Sequence, residues 1–443
     1  MTITPGDPIS IESHYRLADG VYLLGCLEKG VTVHSQQVRA HNLIWSLAEL
    51  RTDVESIAII GAGIGGLTTA ACALSAFPET TKITLFEKHW DICAIQQGCD
   101  NRWLHPNIYS WPETISRAPN ADLPVLDWRP GRASDVTRRL IDQFSDFCDE
   151  FDRDNRLSIL LGLGHCRVEI ANKKIEWIGS KAQRSGSFFS ASKPEGAVGP
   201  FDIVIFATGF GIEQQDPSIP TASYWRNEPI GQYDLTRSAG RFIISGFGDG
   251  ALVDLCRATI ERFRQDTILS ELFSRDLPQY EERILNALKF YGQEKNLFDF
   301  FQKHEAGLFS HALERLRVRT RKDLKVELHI SGKSAGNQSL STIFDNRSSF
   351  LNRMLAYLLF RCGAYSINTQ DLNDIRQSID PLRDKIICRH GADALQNLKD
   401  TIVDFDSIET RLSEMKSSPA QDPTLMVKPG YFAVPAMVKG ARP

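Results

Sequence analysis

The chain has 443 residues, 42% of them hydrophobic and 24% charged. These ordinary values for a globular protein exclude disorder and fibrous repeats and predict two or three domains. Lys plus Arg number 51 against 55 for Asp plus Glu, and the resulting net charge of −4 supplies no general field for nucleic acid or anionic lipid. Nine cysteines are scattered without CxxC or Cys/His metal spacing, so a reducing environment and no metal site are expected. Asp7 and Glu12 stand where a secretory signal would be basic and then apolar, and the expected location is the cytoplasm, with no membrane.

In chain order, residues 1–33 read as irregular or strand-rich, punctuated by Gly20, Gly25 and Gly30, and His34–Leu50 reads as an amphipathic helix. A βαβ unit follows: a strand over Ser56–Ile60, a glycine turn from Gly61 to Gly66, a helix from about Leu67 to Ala76 ended by Pro78, and a strand over Lys82–Glu87. The uncharged stretch Ser56–Phe77 would pass a hydropathy test for a membrane span, but its bunched glycines fit a buried strand turning into a buried helix. Residues 88–132 show little periodicity and are rich in Pro, Trp and Asn, as in a long ordered excursion over a site. Ser134 is a candidate cap for a helix running to about Asp152. Runs at Leu157–Leu161, Cys166–Ile170 and Lys174–Ile178 predict a small antiparallel meander, and a Ser/Gly/Lys-rich loop covers Gly179–Gly199. The apolar strand Phe201–Phe206 ends in Ala207-Thr208-Gly209; a second, Arg241–Ser245, meets a glycine cluster from Gly246 to Gly250 and a helix from about Ala251 to Arg264. The remainder reads as mainly helical, with strand candidates at Leu324–Ile330 and Lys385–Arg389, and no internal repeat is visible.

Gly61-Ala62-Gly63-Ile64-Gly65-Gly66 satisfies GxGxxG, a pattern that serves a tight turn, close approach of backbone to a pyrophosphate, and close helix–strand packing. The helix opening there directs unpaired N–H groups and a positive dipole end, worth about 0.3–2 kcal/mol, at the phosphates. The turn follows an apolar strand, opens a helix and precedes a strand ending in Glu87, whose carboxylate can accept hydrogen bonds from ribose hydroxyls. Glycines making a tight turn beside a surface Glu87 would be the bland alternative.

With these residues in view, the chain resembles the FAD-binding oxidoreductase superfamily typified by glutathione reductase, flavin monooxygenases and amine oxidases. The resemblance covers roughly residues 54–265 and rests on Gly61–Gly66 with Glu87, on the meander leading into Asp202-Ile-Val-Ile-Phe-Ala-Thr-Gly209, and on Gly248-Asp249. It implies that Thr208 and Gly209 close the strand beneath the dinucleotide, that Asp249 places a carboxylate on the ribityl chain, and that Val168 touches the adenine through its backbone. The cofactor candidates are therefore Gly61, Gly63, Gly65, Gly66, Glu87, Lys88, Arg102, Val168, Thr208, Gly209, Gly248 and Asp249.

Gly246-Phe247-Gly248-Asp249-Gly250-Ala251 also fits GxGxxA, the mark of a second nucleotide fold. Such a fold needs a strand about 20–25 residues on, and residues 265–275 instead read as continuing helix. The flavin contact is preferred, no separate pyridine-nucleotide domain is expected, and a glycine turn with Asp249 as a simple helix cap stays open.

Cys93 and Cys99 follow Glu87 near the place where the disulfide reductases keep a redox pair, but with five intervening residues and without a preceding glycine pair; buried thiols explain them as well. The run from Asp100 to Pro112 gathers Arg102, Trp103, His105, Tyr109 and Trp111. Arg102 suits a pyrophosphate or flavin edge and His105 proton transfer, so these two are the catalytic candidates, against an ordered loop of packed aromatics. Gln36, Gln37 and Arg39 either reach the same face or form a solvated helix surface. Asn337, Ser339, Asn346, Arg347 and Asn352 in the polar segment Lys333–Arg361 are candidates for a substrate wall, though capping and loop chemistry account for most of them.

The expected architecture is α/β: a Rossmann-type three-layer FAD/NAD(P)-binding fold over residues 54–265 with a β-meander, an extension and helix over 1–53, and a mainly helical part over 266–443 that covers the site. The expected function is that of an FAD-dependent oxidoreductase acting on a small organic substrate, with NAD(P)H or O2 as partner in electron transfer. The alternatives are an NAD(P)-binding reductase without flavin and a non-catalytic nucleotide-sensing or scaffold protein. Substrate, reaction subclass and oligomeric state are not legible.

Overall fold

The computed structural model describes residues 4, 6–25, 27, 31–179, 195–209, 211, 213, 219, 221–233, 235, 240–291, 296–330, 340–344, 348–380, 382–417 and 424–435. The chain divides into two units: Met1–Pro106, Pro119–Gly211 and Asp393–Pro443 form the first, and Asn107–Ala118 with Ile212–Ala392 form the second.

The first unit opens with α1 (Pro8–Tyr15), capped by Asp7, then β1 (Arg16–Ala18), β2 (Val21–Leu23) and α2 (Val33–Leu50). The βαβ unit is β3 (Ser56–Ile60), α3 (Ile64–Ala76) and β4 (Lys82–Phe86). A two-stranded ribbon of β5 (Trp103–Leu104) and β6 (Gly131–Arg132) leads to α4 (Ala133–Phe151). Next come β7 (Leu157–Leu160), β8 (Leu163–Glu169), β9 (Lys174–Gly179), β10 (Glu195–Val198) and β11 (Ile203–Phe206). The main sheet has the order β1-β2-β11-β3-β4-β7, and every pair except β1–β2 is parallel. β3 and β11 are unbroken apolar runs because parallel strands are covered on both faces. The strand Leu157–Leu160 thus belongs to the parallel sheet, and not to the expected meander, which is β8, β9 and β10. The reason is its length of connection: α4 is a full crossover helix, which delivers the next strand parallel.

The second unit begins its sheet with β12 (Gly240–Ser245) and α5 (Asp249–Thr259), followed by α6 (Ile268–Phe273), α7 (Leu277–Tyr291), α8 (Leu297–His304) and α9 (Ser310–Arg317). Only then come β13 (Leu324–His329), α10 (Phe350–Arg361), β14 (Ser366–Asn368), α11 (Leu372–Ser378) and β15 (Lys385–Cys388). All four strands are parallel, in the order β14-β13-β12-β15. This corrects two expectations. Residues after 265 supply three of the four strands of a parallel sheet that includes β12, and the boundary expected at 265 falls inside the second unit. The partner of β12 is displaced from the usual spacing by the inserted helices α6 to α9, whose Phe300, Phe301 and Phe309 fill one large apolar core with Leu252, Leu255 and Tyr357. α12 (Ala394–Thr401) and α13 (Glu409–Ser417) return to the first unit, where Leu398, Ile402 and Leu412 join the core of β8, β9 and β11.

Counted from the glycine-bearing strand, both units place their strands in the order third, second, first, fourth. The order reverses between β3 and β11 in one and between β12 and β15 in the other, and in open α/β sheets ligands lie outside the carboxyl ends of strands at such a reversal.

Candidate nucleotide sites

In the first unit Gly61 has φ +106, and a Cβ there would lie 2.7 Å from the Ala207 carbonyl oxygen. A Cβ on Gly66 would lie 1.9 Å from the Gly61 carbonyl oxygen, so the turn and the start of α3 interlock and only glycine fits. A Cβ on Gly65 would stand 3.3 Å from Leu24 Cδ2, a tight contact that a small shift of Leu24 would relieve. Gly63 is different. It is the N-cap of α3 with φ −70, and a Cβ on it would meet nothing within 4 Å. The chain imposes no glycine there; close approach of a bound group would.

Glu87, just past β4, is buried; Oε2 accepts from the Ala62 N–H at 2.6 Å and Oε1 from the His89 N–H at 2.8 Å. Each carboxylate oxygen accepts two hydrogen bonds, so one lone pair on each remains for a diol. Lys88 beside it is exposed. Ala207-Thr208-Gly209 follows β11 at the reversal point, with Gly209 at φ +59. Among the expected cofactor residues of this unit, the structure thus brings together Gly61, Gly63, Gly65, Gly66, Glu87, Thr208 and Gly209.

Val168 does not join them. Its side chain is fully buried in the core and its carbonyl accepts from the Val403 N–H at 2.9 Å, so the expected backbone contact to adenine is already engaged by the C-terminal segment. Arg102 is fully buried and His105 half-buried, on either side of β5. The expected aromatic wall is divided: Asn107–Ala118 belongs to the second unit, where Trp111 packs between Phe273 and Phe350 and donates Nε1–H to Glu281 at 3.0 Å. Gln37 is no solvated helix residue. It donates to the Leu126 carbonyl at 3.0 Å and accepts from Trp128 Nε1–H at 2.7 Å, while Arg39 donates to Ser35 at 3.0 Å. Cys93 and Cys99 are free, buried thiols, and burial pushes both up, away from a reactive thiolate.

The second glycine cluster repeats the first in register. The Gly61 N–H donates to the Phe86 carbonyl at 2.7 Å, and the Gly246 N–H to the His329 carbonyl at 3.1 Å. Ala207 bonds back to Ile60 at 2.8 Å, and Arg389 to Ser245 at 2.8 Å. Gly246 has φ +125, with a Cβ placed 2.4 Å from the Arg389 carbonyl oxygen, and Gly248, at φ −77, again has nothing within 4 Å. By this register Ile330 stands where the first unit has Glu87, and Arg389-His390-Gly391 where it has Ala207-Thr208-Gly209.

Asp249, expected on a flavin ribityl chain, starts α5 in the second unit; its carboxylate accepts from the Ser349 N–H at 2.9 Å and Asn352 Nδ2 at 2.6 Å. Burial pushes its pKa up against those bonds. Asn352 is therefore a partner of Asp249; Asn337, Ser339, Asn346, Arg347 and the loop over 180–194 lie outside the described residues.

Sequence reasoning missed a polar chain across the strand tips of this unit. Ser245 Oγ lies 2.7 Å from both His329 Nδ1 and His390 Nε2, and His329 Nε2 donates to the Gln370 carbonyl at 2.9 Å. The Gln370 bond leaves His329 Nδ1 to accept the Ser245 hydroxyl proton, and burial lowers the imidazole's basicity. On α5, Asp254 is held by Arg389 Nε at 2.7 Å and Arg257 at 3.1 Å. The Asp254–Arg257 pair has ordinary i,i+3 helical spacing, but Arg389 and the partners of Ser245 are far off in sequence, and spacing could not have signalled them. Among the described residues there is no cluster of three metal-ligating side chains, and no helix is long and apolar enough to cross a membrane.

No protein-family model matches the chain, and neither does any curated protein sequence. Among solved structures the chain is similar to OTEMO in complex with FAD and NADP, with 13% identity over 80% of this chain and 74% of that one and a TM-score of 0.38. It is also similar to a polycyclic ketone monooxygenase from Thermothelomyces thermophila, with 10% identity over 80% of this chain and 66% of that one and a TM-score of 0.31. Likenesses of this size do not bear on the activity.

Proposed function

We propose that the chain is an FAD-dependent oxidoreductase acting on a small organic molecule, with FAD held at Gly61–Gly66 and Glu87 and a nicotinamide dinucleotide at Gly246–Gly248 of the second unit. The observation that carries this is the pair Gly63 and Gly248. Each sits at the N-terminus of a helix in ordinary backbone geometry with open space where its Cβ would be, so the demand for glycine comes from outside the chain. Unit one adds the acceptor a ribose diol requires; unit two has Ile330 there, which carries no charge to repel a ribose phosphate.

Bound FAD would supply two-electron chemistry. The residues of the chain bind and orient: amides at the start of α3 face the diphosphate, Glu87 holds the sugar, and Thr208 and Gly209 close the strand edge beneath it. Arg102 and His105 remain the candidates for contact with the reacting end. The test is to denature the purified protein, identify the released cofactor by mass, and titrate the holoprotein with NADH and NADPH while following bleaching of the flavin band. FAD release and bleaching are expected; absence of any released dinucleotide and failure to bind added FAD would sink the reading.

A further inference from the structure

We propose that Trp90 is the platform on which the adenine of the first unit's dinucleotide stacks, and so the residue that favours an adenine dinucleotide over a flavin mononucleotide. This rests on Gly61–Gly66 and Glu87 being a dinucleotide site. The segment leaving β4 is tied to the turn between β7 and β8: Glu87 N–H donates to the Leu160 carbonyl at 2.9 Å, Leu163 N–H to the Glu87 carbonyl at 3.1 Å, and Gly162 N–H to the His89 carbonyl at 2.8 Å. Trp90 is the next residue out on that ladder. Its benzenoid ring lies against Gly162, where a Cβ would stand 3.3 Å from Cε3 and 3.5 Å from Cζ3, and Gly162 has φ +71, so a glycine suits both the angle and the space.

Although seated in this way, Trp90 is 57% exposed. An indole fixed on one side and open to solvent on the other is a poor core residue and a good stacking surface. Its place in the fold says what stacks. A sugar held by Glu87 would lie at the tip of β4, and the hydrogen bonds of Glu87 and His89 with the β7–β8 turn put Trp90 beside that tip, in reach of a base joined to the sugar. Trp90 and Gly162 come from the segments leaving those two strands. Among the described residues, Phe86, Trp177 and Phe201 are buried in the core, with Phe86 edge-on to Trp177 at 5.7 Å, whereas Trp90 has a face open to meet a base.

The experiment strips the full-length protein of cofactor and measures the affinity of wild type, Trp90→Ala and Trp90→Phe for ADP and for FAD by calorimetry. Trp90→Ala should weaken both ligands alike, by roughly 10- to 100-fold, and Trp90→Phe should recover most of the loss because a ring remains. Melting of the apoproteins serves as the structural control, and an unchanged melting point in Trp90→Ala supports the assignment. Binding of ADP by Trp90→Ala within about threefold of wild type overturns the proposal, as does a phenylalanine variant as weak as the alanine one. Failure of the wild type to bind either ligand overturns the parent reading as well, whereas binding that is lost in Gly63→Val and intact in Trp90→Ala overturns this inference alone.

Discussion

The two units build the same four parallel strands in the same order, and they solve the same turn with different residues. In the first, the third glycine of the pattern is obligatory, because a Cβ on Gly66 would overlap the Gly61 carbonyl. In the second, Ala251 occupies that place, and its methyl stands 3.5 Å from the position of a Cβ on Gly246. The second turn thus accommodates a methyl at the place where the first has no room for one. The first and third positions therefore report how each chain segment packs on itself, and on the proposed reading the middle position answers to what binds. On that reading Glu87 against Ile330 would separate the units by ligand, not by fold.

The sharpest way to break that comparison is to substitute the middle glycines. Gly63→Val should abolish FAD retention while leaving the protein soluble, and Gly248→Val should leave FAD in place and abolish bleaching by NAD(P)H; cofactor content by mass and anaerobic titration check both. Normal FAD content in Gly63→Val would remove the pyrophosphate from this turn. Gly66→Val differs in kind, since the clash is within the chain: loss of the folded first unit, seen as insoluble protein, is expected.

Acid should distinguish the units next. His41, fully buried on α2, donates Nδ1–H to the Gln37 carbonyl and accepts the Val125 N–H on Nε2, and burial pushes its pKa down to about 4. The folded state then binds fewer protons than the unfolded one, whose histidine titrates near 6.5, so stability is lost as pH falls from about 6.5 towards 4, at about 1.4 kcal/mol per pH unit. In the second unit burial would raise Glu327, but bonds from Arg241, Asn368 and Lys325 outweigh it and take the carboxyl down to about 2. Its contribution is complete above about 4.5 and disappears only as pH falls from there towards 2. Hydrogen exchange at pH 5 should therefore loosen the first unit before the second, and His41→Gln should flatten that dependence; simultaneous loosening would count against the assignment.

A smaller effect sharpens the difference in ligand. NADPH should bind at least as well as NADH, since no carboxylate at position 330 repels a ribose phosphate, and Ile330→Asp should shift the ratio of affinities towards NADH by about tenfold. An unchanged ratio would place the adenosine ribose away from β13.

The first unit was largely legible because its signals are local: an apolar run, a glycine turn, a helix and a second strand within one short stretch, with β3 and β4 where periodicity put them. The second unit carries the same signals, but α6 to α9 separate β12 and α5 from β13, and a reading that looks for the partner strand at the usual interval finds helix. α2 was misjudged as half-exposed for a different reason. Its polar residues are satisfied inside: Asn42 donates to the Thr424 carbonyl and accepts from the Met426 N–H, partners that lie near the other end of the chain. Val168 and Asp249 have partners that local reading does not see, Val403 in one case and Ser349 in the other.

The division of the chain has a consequence for how the protein is made. Residues 107–118 are supplied to the second unit from within the first, and the first unit takes its last pieces, α12 and α13, from residues synthesised after the second. Leu398, Ile402 and Leu412 fill its core, so the first unit has no finished foundation until residues as far as 412 have left the ribosome. Excising 212–392 as a free-standing fragment would strand Trp111 from its pocket, so the chain folds as one interleaved product and not as beads on a string.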